Sequence, residues 1–265
     1  MAVITLFSAA GAPGVTTTAL GLALAWQRPV YLVDADATGS PAVLAGYLQG
    51  QAAHDRGLVE LAVANRVGNL NAAIATVAME IPGSPVSFVP GIRSHQQAAS
   101  LVNLWEPLTG VLRGMEQRGT DVVVDAGRIG VAHSAQPLVR SADLSLLVVR
   151  SDLPAVAGAR SWAKAVREQL LSTGSEESLG LVVVGSGRPY SAREIRKVLG
   201  LPVVAEIAWA PEDALVLSTG AQPGKKYASG AFQRSLAAAV SSAQGVIATN
   251  RQRLSSVQRK ADSNV

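Results

Sequence analysis

A doubly wound α/β fold, with a mostly parallel sheet and helices on both faces, is predicted by three observations. Short β-branched runs alternate with longer helical patterns along the 265 residues, and most of the runs are apolar throughout. The segments between them are long enough for crossover helices. Continuous apolar runs are the mark of strands buried on both faces, and crossovers of this length join parallel strands.

Taken in order, Val3 to Phe7 is apolar without a basic leader or a cleavage pattern, and reads as a first strand rather than a secretion signal. A glycine-containing loop follows, then a helix near 15–26, then the strand Val30 to Val33. Between Ala42 and Met79 the pattern weakens into short amphipathic pieces, where a hairpin or small helices could extend the sheet edge. Val86 to Val89 is the next strand, followed by a helix near 94–118 and the strand Val122 to Val124. Leu144 to Val149, a helix near 153–172, Leu181 to Val184, a helix near 191–199, Val203 to Ile207 and a helix near 229–258 complete the pattern. At about 150 residues per domain the length admits one large or two small domains. No linker divides the chain, so one domain is expected over 1–245, with a basic, helical or partly disordered tail over 246–265.

Composition removes whole classes of function. With 48% hydrophobic and 16% charged residues the chain can bury a large core, which excludes global disorder. Without cysteine there is no disulfide scaffold or thiolate site, and His54, His95 and His133 have no spacing that suits zinc. The longest apolar run, Ala19 to Trp26, is too short to span a bilayer. A cytoplasmic chain is the simplest fit. Residues 251–265 carry Arg251, Arg253, Arg259 and Lys260 against Asp262, so most of the net charge of +4 sits in the tail. Such a tail fits contact with DNA, an anionic membrane surface or an acidic partner, and equally a solvated terminus.

The chemistry concentrates after the first strand, in Ser8-Ala9-Ala10-Gly11-Ala12-Pro13-Gly14-Val15-Thr16-Thr17-Thr18. Gly11 and Gly14 let backbone N–H groups converge on an anion at the positive end of the next helix, and Thr16 and Thr17 bring hydroxyls for a magnesium ion and a phosphate. Alone, the segment also fits a plain turn with a threonine cap. The second strand closes on Asp34-Ala35-Asp36, and Val122-Val123-Val124-Asp125-Ala126-Gly127 is a buried strand ending in an acid and a glycine. Ligands of open α/β sheets bind at these carboxyl ends. Each acid alone could be a turn or cap residue; the three features in this order point to a phosphate-loop nucleotidase.

On these residues the sequence resembles the ParA/MinD-like branch of phosphate-loop ATPases, nearest to MinD-like proteins of actinobacterial type. The likeness also takes in Phe88-Val89-Pro90-Gly91, Leu181 to Val184, and Leu199 to Val204 leading to Pro211-Glu212-Asp213. The resemblance implies that ATP or ADP binds with Mg2+ on Gly11, Ala12, Pro13, Gly14, Val15, Thr16 and Thr17. It implies further that Thr16 and Asp125 hold the magnesium, that Asp36 positions the attacking water and Asp34 supports the switch, and that Gly185 and a loop from Pro211 to Asp213 lie beside the adenine. A homodimer that positions other cellular machinery through a further protein partner would follow, in the cytoplasm, at the inner face of the membrane or at the nucleoid.

The family's loop carries two lysines, and this chain has Ala10 and Val15 in their places. Each lost charge-assisted contact is worth about 1.5–3 kcal/mol, and hydrolysis suffers more than binding, because those cations stabilise charge on the transferred group. Pro13 removes a further N–H donor. Arg128 or Arg150 could substitute in space. Two functions are therefore expected to compete: an ATP-dependent dimer switch with weak or no hydrolysis, and a nucleotide-independent scaffold.

Overall fold

Eight strands form one sheet in the order β3-β4-β2-β5-β1-β6-β7-β8. They are β1 (Val3–Ser8), β2 (Val30–Asp34), β3 (Met79–Glu80), β4 (Val86–Val89), β5 (Asp121–Arg128), β6 (Leu144–Arg150), β7 (Leu179–Val184) and β8 (Val203–Ile207). The structure, a computed structural model, describes residues 2–10, 13–39 and 41–262, with the side chains of residue 254 and residues 257–262 outside the description. Among the described residues every strand pair is parallel except the short β3–β4 hairpin at one edge. All seven expected strands lie where the apolar runs lie.

Alternation along the strands divides the core into two layers. One face of the sheet packs against α2 (Leu58–Arg66), α3 (Leu70–Val77), α4 (Trp105–Gly114), α5 (Gln136–Ser141), α6 (Leu153–Ser172) and α7 (Ala192–Leu199). The other face packs against α1 (Val15–Leu24), α8 (Pro211–Thr219) and α9 (Ala231–Asp262). Within β5, Val122 and Val124 join the first layer and Val123 the second, as the two-residue period of a strand requires.

Three departures from the expected elements have local causes. The helix expected near 94–118 is broken into a 3-10 turn (His95–Leu101), α4 and a second 3-10 turn (Met115–Arg118). Pro107 lacks an N–H and its ring clashes with a preceding carbonyl inside a helix, so the α-helix begins at Trp105 and places the proline in its first turn. Between Ala42 and Met79 small helices form, a π-helical turn (Ala42–Tyr47) with α2 and α3, and the hairpin at the sheet edge, β3–β4, begins only at Met79. Pro211 to Asp213, expected as a loop, is the first turn of α8.

Asp121, almost completely buried at the start of β5, ties the base of the fold together. Its carboxylate accepts the backbone N–H of Ala2 (2.6 Å) and the indole N–H of Trp26 (2.8 Å), and pairs with Arg28 (2.8 Å). α9 runs without a break through position 245, where a boundary between body and tail is expected. Ile247 is buried, Arg251 pairs with Glu116 (2.5 Å) and Asp143 (3.0 Å), and Arg253 pairs with Glu177 (2.6 Å). Two of the four tail cations are thus neutralised by the body of the protein.

Candidate functional site

The carboxyl end of β1 carries the chain to Ser8, whose carbonyl accepts the Ile129 N–H (2.9 Å) and so lies beside the end of β5. Gly11 and Ala12 lie outside the described residues. Gly14 then opens α1 in the left-handed region, at φ +91°, where a Cβ is disfavoured. Among the described residues no side chain caps α1 and its first turn holds no acid, so the threonine-capped turn that the sequence leaves open is not what forms. The uncapped first turn presents its N–H donors and the positive end of the helix to the loop.

Ala10 and Val15 both face protein. Val15 is buried among the apolar residues beneath α1, and a Cβ added at Gly158 of α6 would come within 2.9 Å of the Ala10 Cβ. Thr16 and Thr17 remain half-buried at the rim.

Because β2 and β5 are neighbours in register, Asp34 stands opposite Asp125, and the Ala35 N–H donates to the Asp125 carbonyl (2.7 Å). The Asp36 N–H donates to Asp34 Oδ1 (3.2 Å), while Asp36 Oδ1 accepts the N–H (2.8 Å) and hydroxyl (2.7 Å) of Thr38. Asp36 also lies flat against Gly127: a Cβ there would come within 2.3 Å of the Asp36 Cγ. Three carboxylates from two sequence segments, 34–36 and 125, therefore share one site.

Burial, then the charges of Asp125 and Asp36, hold the Asp34 carboxyl well above the usual carboxylate range, against the opposing N–H groups of Asp36 and Gly91. Burial raises Asp125 to about 6, the Thr16 hydroxyl and the Gly127 N–H pull it down, and Asp36 pushes it up. The Gly127 N–H donates to Asp125 Oδ1 (2.9 Å), whereas Oδ2 is buried without a hydrogen-bond partner. Thr16 thus approaches the carboxylate closely enough to stabilise its charge without satisfying Oδ2. A buried, under-neutralised carboxylate beside a hydroxyl suits Mg2+, a hard cation that takes few protein oxygens and keeps water or phosphate oxygens in its remaining positions. Among the described residues no group of three His, Asp or Glu side chains is arranged to hold a metal alone.

Beside this site a cleft of about 160 Å³ runs between Gly14 and Thr17 on one side and Trp209 and Pro211 on the other, with Arg150 in its wall. Gly185 lies under the indole, where a Cβ would be 3.1 Å from the ring. Asp213 is not part of the wall; its carboxylate lies beside Gly230 and influences Tyr227. The sequence suggests that all four tryptophans are core or subunit-contact residues. Trp26 and Trp105 are buried, but Trp209 is 38% exposed in the cleft, with the Arg150 guanidinium 4.8 Å from its ring centre. A tryptophan placed two residues after a strand and two before a helix-starting proline was the available signal. A larger groove, about 700 Å³, lies between the starts of β6, β7 and β8 and α9, and contains none of the three acids.

No protein-family model matches the chain, and no curated protein matches it. Solved structures do. The septum site-determining protein MinD from Pyrococcus horikoshii, complexed with Mg-ADP, superimposes with a TM-score of 0.68 at 18% identity, over 90% of this chain and 93% of that one. This is the ParA/MinD-type phosphate-loop fold. MinD in the MinC:MinD cell division complex of Aquifex aeolicus matches with a TM-score of 0.68 at 16% identity, over 92% of this chain and 96% of that one. A Cyanothece McdA variant in complex with ATP matches with a TM-score of 0.68 at 16% identity, over 94% and 96%. At these identities the ParA/MinD-type likeness concerns the path of the chain. Among the described residues no helix is long and apolar enough to cross a membrane.

Proposed function

We propose that this chain binds ATP or ADP with Mg2+ at the ends of β1, β2 and β5, and acts as a nucleotide-dependent dimer switch that positions other cellular machinery in the cytoplasm. The observation that carries this reading is the buried Asp125 Oδ2, left without a partner next to Thr16 at the foot of an uncapped helix. An uncompensated buried carboxylate is costly, and a ligated cation removes the cost. The solved structures of this fold include proteins complexed with Mg-ADP, with ATP and with MinC, which supports a nucleotide and a further protein partner here.

In this reading the loop N–H groups and Thr17 hold phosphate oxygens, and Thr16 and Asp125 hold the cation. Bound Mg2+ would neutralise charge on the phosphates. Asp36, already oriented by Thr38 and Gly127, positions water, while Asp34 keeps its place by taking the Asp36 N–H. Val15 and Ala10, both turned to protein, supply no positive charge, so turnover is weak or absent. The pairing of Arg251 and Arg253 with body acids leaves the tail little free charge from these residues for DNA or an anionic membrane.

Calorimetric titration with Mg-ATP tests the reading, with Asp125→Ala and Thr16→Ala as controls: binding by the natural chain and its loss in both variants is expected. A second reading, a nucleotide-independent scaffold, is favoured by the buried Val15. It takes over if the folded chain does not bind Mg-ATP at millimolar concentration, or if sedimentation shows the same oligomeric state with and without ATP.

A further inference from the structure

The sheet order sets the ends of β1, β6, β7 and β8 in a row. The phosphate-loop segment follows β1, Trp209 and Pro211 follow β8, and Arg150 ends β6 between them, half-buried in the wall of the same cleft. Its guanidinium rests 4.8 Å from the Trp209 ring centre, and no carboxylate among the described residues pairs with it. Stacking on an indole fixes the plane of a guanidinium and leaves its N–H groups directed outward, ready to take two oxygens of an anion at once.

We infer that Arg150 is a phosphate-binding residue of the nucleotide site, and that its charge takes over part of the work that Val15 cannot do. The inference rests on the nucleotide reading above and adds the residue that makes a loop without lysine competent to bind. Trp209 acts as a positioning residue: its ring holds the guanidinium in the cleft wall. The two arginines near the indole differ in what they face. Arg188, 6.0 Å from the same ring centre, is exposed and outside the cleft wall, so it serves as the control.

The experiment is calorimetric titration with ATP, ADP and adenosine, each with Mg2+, of the natural chain and of Arg150→Gln, Arg150→Lys and Arg188→Ala. Far-ultraviolet circular dichroism confirms that each variant is folded. Arg150→Gln keeps most of the side-chain stem, so it retains packing that Arg150→Ala would lose. Losing a charge-assisted contact predicts ATP and ADP affinity lower by about ten- to hundredfold. Adenosine affinity should be unchanged, Arg150→Lys should recover part of the loss, and Arg188→Ala should bind like the natural chain. Indole fluorescence should respond to ATP in the natural chain and lose that response in Trp209→Phe. If Arg150→Gln binds ATP as tightly as the natural chain, or loses adenosine equally, Arg150 does not bind phosphate and the inference fails while the nucleotide reading stands. If the folded natural chain binds no ATP, both fall together.

Discussion

Replacing Asp125 by Asn should stabilise the nucleotide-free protein while abolishing its cation site. The natural carboxyl is raised from 3.8 to about 6, chiefly by burial. Between these values the unfolded chain has already released the proton that the folded chain retains, so stability falls as pH rises through this window. The penalty is absent below 3.8 and complete above about 6. At about 1.4 kcal/mol per pH unit it amounts to about 3 kcal/mol at pH 7.5. Asn keeps an oxygen for the Gly127 N–H, carries no charge to desolvate, and offers its amide to Asp34 or Asp36. Urea unfolding without nucleotide should therefore show the Asn variant more stable by about 2–3 kcal/mol at pH 7.5, or about 4–6 °C in melting temperature. At pH 4 the two proteins should converge. Excess Mg-ATP should reverse the order, because only the natural chain gains stability by binding. Equal stability at pH 7.5, or a difference that ignores pH, would refute the assignment of Asp125 as an uncompensated buried acid.

Three further outcomes are expected. Asp121→Ala strips the buried partner from the Trp26 indole, the Ala2 N–H and Arg28, and should cost about 3–5 kcal/mol by urea unfolding with little change in the cleft. Val15→Lys should raise Mg-ATP affinity by roughly tenfold in calorimetry, yet lower the melting temperature, because it replaces a side chain packed in the core beneath α1. Arg251→Ala removes pairs with Glu116 and Asp143 at a half-exposed position; solvent screening limits the loss to about 1 kcal/mol, and amide exchange should quicken in the last turns of α9 before any global change.

The parallel sheet was readable because strands buried on both faces leave uninterrupted runs such as Leu144 to Val149, which no surface helix imitates. The acids at 34, 36 and 125 were readable for a related reason: each follows such a run closely, and the fold places strand ends together. What needed tertiary information was direction. Nothing in the sequence tells whether Val15 points to the phosphate side or to the core, nor that Asp213, two residues into α8, faces Gly230 instead of the cleft. α8 itself carried its signals, Pro211 at the first helical position, acids in the first turn and Gly220 after the end, but an expected loop masked them. The pairing of Arg150 with Trp209 joins positions 59 residues apart on β6 and the turn after β8, and only the sheet order makes them neighbours.

The contact between Asp36 and Gly127 makes the turns after β2 and β5 work like meshed teeth. Asp36 fills the space that any side chain at 127 would need, and close-packed groups pass displacement on instead of absorbing it. A pull on Asp125, whose Oδ1 already holds the Gly127 N–H, is handed to Asp36 without an intermediate side chain. From there it reaches Thr38, which Asp36 grips by both its N–H and its hydroxyl at the protein surface. An event at the buried end of this short train has a visible hand on the outside, and the glycine is the tooth that lets the gears engage.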